Sequence, residues 1–171
     1  MQLTEEGVKS VSPDWSPDDE AIAYSSNASG NFDIYVMDID GSDPRNLTGQ
    51  AFQGDRAQEF DPTWSSDGER MSFDGQQNDG RYDIYVIDPD GSDLQNLTAH
   101  SANDRRSSWS PNDTKIVFGT DRLVPSEDTQ RGCSVDSRQM DLFIMNADGT
   151  DPQRVVDTEA DDSSPAWGPL P

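Results

Sequence analysis

Short apolar runs bounded by aspartate, glycine and proline recur along the chain. Three are continuous: Ile34-Tyr35-Val36-Met37, Ile84-Tyr85-Val86-Ile87 and Leu142-Phe143-Ile144-Met145. Three shorter ones precede them: Ala21-Ile22-Ala23-Tyr24, Met71-Ser72-Phe73 and Ile116-Val117-Phe118. Runs of this length between turn-forming residues predict β-strands rather than helices. Side chains alternate across a strand, so Ile34 and Val36 face one side while Tyr35 and Met37 face the other. A sheet with one wet face would alternate apolar and polar residues. Apolar residues on both faces predict sheets that are covered on both sides, and hence sheets that stack.

The runs belong to a repeat. Ser12-Pro13-Asp14-Trp15-Ser16-Pro17-Asp18-Asp19 is repeated as Asp61-Pro62-Thr63-Trp64-Ser65-Ser66-Asp67-Gly68 and Ser107-Ser108-Trp109-Ser110-Pro111-Asn112-Asp113, with a last trace at Pro165-Ala166-Trp167. A second phrase ends each continuous run: Asp38-Ile39-Asp40-Gly41-Ser42-Asp43 then Asn46-Leu47-Thr48, Asp88-Pro89-Asp90-Gly91-Ser92-Asp93 then Asn96-Leu97-Thr98, and Asn146-Ala147-Asp148-Gly149-Thr150-Asp151 then Arg154-Val155-Val156. Each unit reads as four strands. The tryptophan phrase is strand one, and the Pro-Asp-Asp, Ser-Asp-Gly or Pro-Asn-Asp segment is a tight turn. The two apolar runs are strands two and three. The Asp-Gly pair is a hairpin turn that uses glycine's access to positive φ, and Asn-Leu-Thr is strand four. The units span about residues 11–49, 60–99 and 106–157, with a partial unit over 158–171. The chain opens on a strand-four phrase, Gln2-Leu3-Thr4, and closes on the strand-one phrase at Trp167, predicting an orphan strand at each end.

Charge narrows the function. The 171 residues carry 34 acidic and 12 basic side chains, a formal net charge of −22. Such a surface repels phosphate backbones and argues against nucleic-acid binding. It favours cations and basic protein surfaces. The single cysteine, Cys133, excludes an intrachain disulfide. No apolar run reaches membrane-spanning length, and no signal-peptide pattern follows Met1. His100 is the only histidine, which argues against the usual zinc sites. Neither a Gly-x-Ser-x-Gly elbow nor a phosphate loop is present. The Asn-x-Ser/Thr sequons at Asn27, Asn46, Asn96 and Asn112 fall largely on repeat phrases and do not by themselves mean glycosylation.

The Pro-x-Trp-Ser-Pro-Asp-Gly, Ile-Tyr-Val-Met-Asp and Asp-Gly-x-x-x-x-Leu-Thr phrases resemble the repeats of TolB-like β-propellers, which are related in architecture to WD-type propellers and also occur in prolyl-oligopeptidase-type peptidases. The resemblance runs from Gln2 to Trp167. It implies an all-β, propeller-like array of three four-stranded antiparallel blades with an orphan strand at each end, the tryptophans Trp15, Trp64, Trp109 and Trp167 filling the space between blades. Such propellers usually have six blades or more, and fewer than about four do not close a ring. Three blades therefore predict one of three resolutions: a fragment of a longer propeller, two copies closing a ring head to tail, or copies stacking into a filament; the expected partners are other copies of the chain, as a dimer, ring or filament, or another protein. The expected function is a non-catalytic scaffold for protein–protein interaction or self-assembly, periplasmic or extracellular, with no membrane insertion. Two alternatives stand beside it. One is the propeller portion of a prolyl-oligopeptidase-like hydrolase without its catalytic domain; the other is a calcium- or glycan-binding extracellular scaffold.

Three candidate sites follow. The turn aspartates Asp38, Asp40 and Asp43, their counterparts Asp88, Asp90 and Asp93, and Asp148 with Asp151 (beside Asn146) offer the carboxylate oxygens that calcium takes; the competing reading is a hairpin turn with solvated aspartates. Glu59, Asp61, Asp104, Asp161 and Asp162 lead into the tryptophan strands, where a propeller would place them at the channel mouth to meet a basic tail or a cation. The third unit carries an insertion over 120–139 that holds Cys133 and, with nearby Arg154, four of the scarce cations: Arg122, Arg131, Arg138 and Arg154. A loop of this kind could dock on an acidic face of another copy.

Overall fold

A computed structural model describes residues 2–52, 57–76, 80–122, 140–155 and 164–167. The described residues form three four-stranded antiparallel sheets, each from consecutive strands. Blade 1 contains β1 (Ser10–Trp15), β2 (Ala21–Ser26), β3 (Asp33–Asp38) and β4 (Arg45–Asn46). Blade 2 contains β5 (Gln58–Trp64), β6 (Met71–Gln76), β7 (Tyr82–Ile87) and β8 (Gln95–Asn96). Blade 3 contains β9 (Asp104–Trp109), β10 (Lys115–Thr120), β11 (Asp141–Asn146) and β12 (Gln153–Arg154). The first strands β1, β5 and β9 lie side by side along the inner edge, while β4, β8 and β12 touch only their own sheets.

The two-faced apolar pattern has the predicted consequence. Ile34 and Val36 pack with Met71, Phe73, Tyr85 and Ile87 in the core between blades 1 and 2. Ile84 and Val86, on the opposite face of β7, pack with Ile116, Phe118, Phe143 and Met145 between blades 2 and 3. Ile22, Tyr24, Tyr35 and Met37 form a third cluster, on the leading face of blade 1, against which Leu3 packs. Burial tracks this stacking. The apolar residues of β3 and β7 are buried on both faces, whereas β11 alternates buried and half-buried residues because Leu142 and Ile144 face away from blade 2.

Strand four differs from its expected place. The ladder covers Arg45–Asn46, Gln95–Asn96 and Gln153–Arg154, and ends where Leu-Thr was expected to continue it. In blades 1 and 2 a threonine takes over at this point: Thr48 Oγ1 accepts the Ile34 N–H at 2.9 Å, and Thr98 Oγ1 accepts the Ile84 N–H at 2.9 Å. A hydroxyl thus takes the place of a ladder carbonyl, and the chain is free to leave for the next blade. The two orphan phrases form no ladder among the described residues, but each sits where the repeat puts it. Leu3 lies under Gly41 as Leu47 lies under Gly91 and Leu97 under Gly149. Trp167 donates its indole N–H to Ser108 O at 3.1 Å.

Each inner strand also carries a bulge that the pattern does not reveal. The register shifts between Val11 and Asp14, between Phe60 and Thr63, and opposite Val117 to Gly119. Ser12, Asp61 and Arg106 adopt left-handed φ there, at 51°, 53° and 56°, and Ser164 does so at 62°. The bulge turns the inner strand so that residues beside it reach the neighbouring blade.

Candidate functional site

The inner strands and the turns that leave them form the polar seam between blades. Glu59, at the start of β5, is fully buried. Its N–H donates to Phe32 O at 2.8 Å, and its Oε2 accepts from Thr48 Oγ1 at 3.1 Å. Its other oxygen, Oε1, meets no donor. Burial, and then the neighbouring Asp33, push this carboxyl up to about 9. Asp33 accepts from Ser29, from Asn31 Nδ2 at 2.9 Å and from Asn46 Nδ2 at 2.6 Å. A proton on Glu59 resolves the contact, because Glu59 can then donate to Asp33. Asp104 holds the equivalent position in blade 3 and is solved differently: Arg122 reaches it through Nη2 at 2.8 Å and Nε at 3.3 Å. The guanidinium lies over the rings of Phe118 and Phe143.

Asp74 is also fully buried. It accepts the Arg106 N–H at 2.8 Å, and Arg105 Nε stands 3.4 Å away. Burial, with the Asp61 charge adding to it, pushes Asp74 up to about 8 against those lowering contacts. Between blades 1 and 2, Asp14 Oδ2 accepts the Trp64 N–H at 2.8 Å, and Ser12 Oγ donates to Asp61 Oδ1 at 2.6 Å. Burial raises Asp14 despite that bond. Between blades 2 and 3, Ser107 Oγ donates to Ser72 Oγ at 2.9 Å. The turn after β9 adds a further clamp. The Asp113 carboxylate accepts Ser66 N–H at 2.6 Å and Asp67 N–H at 3.0 Å, the two amides of the blade 2 turn.

The sequence matches the model of a protein family described as the TolB beta propeller domain over residues 1–127. The chain belongs to this family. Among solved structures it is similar to a putative TolB from Agrobacterium tumefaciens, at 25% identity and a TM-score of 0.68, covering 89% of this chain and 50% of that one. It is also similar to TolB from Acinetobacter baumannii, at 20% identity and a TM-score of 0.66, covering 94% of this chain and 36% of that one. An oligogalacturonate lyase in complex with manganese shares the fold at 15% identity and a TM-score of 0.61, over 90% of this chain and 42% of that one. The chain thus spans half or less of the length of these propeller structures.

Within this TolB-type array the predicted sites fall out as follows. Trp64 packs against the core between blades 1 and 2, and Trp109 is buried between blades 2 and 3. Trp15 is 54% exposed and Trp167 38%. The turn aspartates are engaged in the turns. Asp38 Oδ2 accepts from Ser42 Oγ at 3.1 Å, and Asp40, Asp90 and Asp148 accept the N–H of Ser42, Ser92 and Thr150. The hydrogen bonds from Ser42, Ser92 and Thr150 lower the last three carboxyls. Asp43 faces Arg45 at 3.7 Å on the surface, and Asp151 accepts from Gln153. Asp43, Asp93 and Asp151 all adopt left-handed φ. Among the described residues no three His, Cys, Asp or Glu side chains converge as a metal site.

The expected acidic channel mouth needs correction at two of its members. Glu59 and Asp104 are fully buried between blades rather than offered to a partner, because a neighbouring blade's strand three packs over each. Asp161 and Asp162 lie outside the described residues, as do Cys133, Arg131 and Arg138 of the insertion. Arg122 and Arg154 are described, and both are committed to buried or half-buried acids, Asp104 and Asp141. His100 accepts the Ala102 N–H through Nδ1 at 3.1 Å, a local turn contact. Sequence reasoning missed the link between Asp33 and Asn46, repeated by Asp83 with Asn96 and Asp141 with Arg154. Its trace was present: in every repeat an aspartate at the start of strand three stands thirteen residues before the residue opening the Asn-Leu-Thr phrase or its counterpart.

Proposed function

We propose that the chain is a non-catalytic TolB-type propeller scaffold for protein–protein interaction or self-assembly, working outside the cytoplasm. One observation carries this reading. Trp15 and Val11, on the inner rim of the blade 1 leading face, are exposed, while Trp109, at the equivalent position of blade 3, is 6% exposed. Large apolar side chains exposed together in this way suit a protein contact. The non-catalytic part is supported by the fate of the two acids shifted furthest: Glu59 and Asp74 are sealed between blades, out of reach of a substrate. The acidic surface favours a protein partner over a nucleic acid.

The reading is tested by sedimentation velocity on the full chain over a wide concentration range. Weak, concentration-dependent association, reduced by Trp15→Glu with unchanged circular dichroism, is the expected result. A wild-type chain that stays monomeric at ~1 mM, well above the weak affinities of transient contacts, would overturn self-association through this rim.

A further inference from the structure

The fold sorts the four Asn-x-Ser/Thr sequons, at Asn27, Asn46, Asn96 and Asn112, by what their side-chain nitrogens do. An N-linked sugar enters at Nδ2, so a sequon is open only where that nitrogen is free. At each site a backbone N–H, which can only donate, marks which side-chain atom is the oxygen. Asn46 Oδ1 accepts Thr48 N–H at 3.0 Å and Gly49 N–H at 2.7 Å, and Asn96 Oδ1 accepts Thr98 N–H at 3.0 Å. Their nitrogens turn inward. Asn46 Nδ2 donates to Asp33 Oδ2 at 2.6 Å and to Tyr35 Oη at 3.1 Å. Asn96 Nδ2 donates to Asp83 Oδ2 at 2.8 Å and to Tyr85 Oη at 3.0 Å. Both N–H groups of each amide are used, and a sugar would displace one of them.

Asn112 is arranged the other way round. Its Oδ1 accepts Ser110 Oγ at 2.9 Å, Thr114 Oγ1 at 2.8 Å and Thr114 N–H at 3.4 Å, and none of these bonds uses Nδ2. Asn112 and Thr114 are both exposed. The hydroxyl of the sequon thus stands beside its own amide. The residue between them is turned aside, since the Asp113 carboxylate is bound to the blade 2 amides of Ser66 and Asp67. The position also stays open when another blade follows: Asp18 and Asp67 hold it in blades 1 and 2, and both are exposed beneath the next blade. Asn27 is intermediate. Its Oδ1 accepts Lys9 N–H at 2.9 Å, but its sequon hydroxyl, Ser29 Oγ, is spent on the buried Asp33. We propose that Asn112 is the acceptor for an N-linked sugar on the folded chain, and that Asn46 and Asn96 are closed to it. The donor is a glycosyl diphosphate. Asn112 Nδ2 bonds to C1 of the sugar, the bond from C1 to the diphosphate oxygen breaks, the diphosphate leaves with the electron pair, and one N–H proton passes to a base of the transferase. The other N–H and all three bonds to Oδ1 are kept.

The test uses the folded full chain, UDP-glucose and a soluble asparagine N-glucosyltransferase, with short peptides spanning each of the four sequons as the unfolded reference. Peptide mapping by mass spectrometry follows the glucose at each asparagine over time. Relative to its own peptide, Asn112 should be modified at a similar rate in the folded chain. Asn46 and Asn96 should be slowed at least about tenfold, the effect of having to break one charge-assisted hydrogen bond first. Asn27 should fall between them. N112Q and T114A should lose the Asn112 product, while T114S, which keeps the hydroxyl, should retain it. The glucosylated chain should keep the Tm of the unmodified one to within about 1 °C, as a change at an exposed position does. An Asn112 peptide that is modified while folded Asn112 is not would overturn the assignment by geometry. A peptide that also stays unmodified would overturn it through the sequon itself. Glucose on folded Asn46 or Asn96 at the rate of their peptides would show that the inward hydrogen bonds do not close a sequon.

Discussion

Glu59 enters the folded state with a proton. Its carboxyl ordinarily ionises near 4.5 and in the fold holds on to about 9. Folding therefore takes up a proton throughout that interval. The folded state is at its full advantage below about 4.5 and loses it steadily as pH rises towards 9. Asp74 acts in the same direction between 3.8 and about 8. Glu59→Gln keeps a group that can donate to Asp33 and cannot ionise. We expect its Tm to exceed the wild-type value by about 3–6 °C at pH 8 and to match it near pH 5. A variant equally destabilised at both pH values would show that the seam between blades 1 and 2 uses the charge rather than the proton. Arg122 is the alternative solution to the same problem: it gives the buried Asp104 a counter-charge instead.

At the scale of the element, the Asp-Gly turns show how one blade registers on the next. Gly41, Gly91 and Gly149 all have left-handed φ, and all rest on the leucine of the preceding strand-four phrase. The fit is uneven. A Cβ would stand 2.8 Å from Leu97 O at Gly149 but 3.5 Å from Leu47 O at Gly91. Alanine at either position meets the left-handed cost of about 1–2 kcal/mol. Gly149→Ala should cost more, because backbone must also move, and thermal unfolding should place its Tm below that of Gly91→Ala. The turn glycines were legible from sequence because Asp-Gly between two strand patterns is a local signal. The inner bulges were not. Ser12, Asp61 and Arg106 share a backbone conformation and almost no chemistry, so only the pairing of the neighbouring strand reveals them.

At the scale of the molecule, position in the stack decides what a repeated residue is worth. Trp15 and Trp109 occupy the same place in their blades, yet one is 54% exposed and the other 6%. Trp109→Ala should cost about 3–5 kcal/mol, as truncation of a large buried ring does. Trp15→Ala should change stability by less than about 0.5 kcal/mol, as surface substitutions do. Urea unfolding of the two variants measures both. Comparable losses would mean that Trp15 is covered in solution rather than exposed.

Local chemistry repeated at a fixed spacing was enough to define the strands, their order, the two-faced blades and the membership of a TolB-type propeller. Each of those depends on contacts within one unit or on the period of the units. The burial of Glu59 and Asp104, the closeness of Glu59 to Asp33, and the bonds from Ser66 and Asp67 to Asp113 came only with the folded molecule. They join residues of different repeats, and nothing in one unit records which face of its neighbour it will meet. The exposure of Trp15 is of the same kind: its tryptophan reads like the others, and only the stacking of the blades sets it apart.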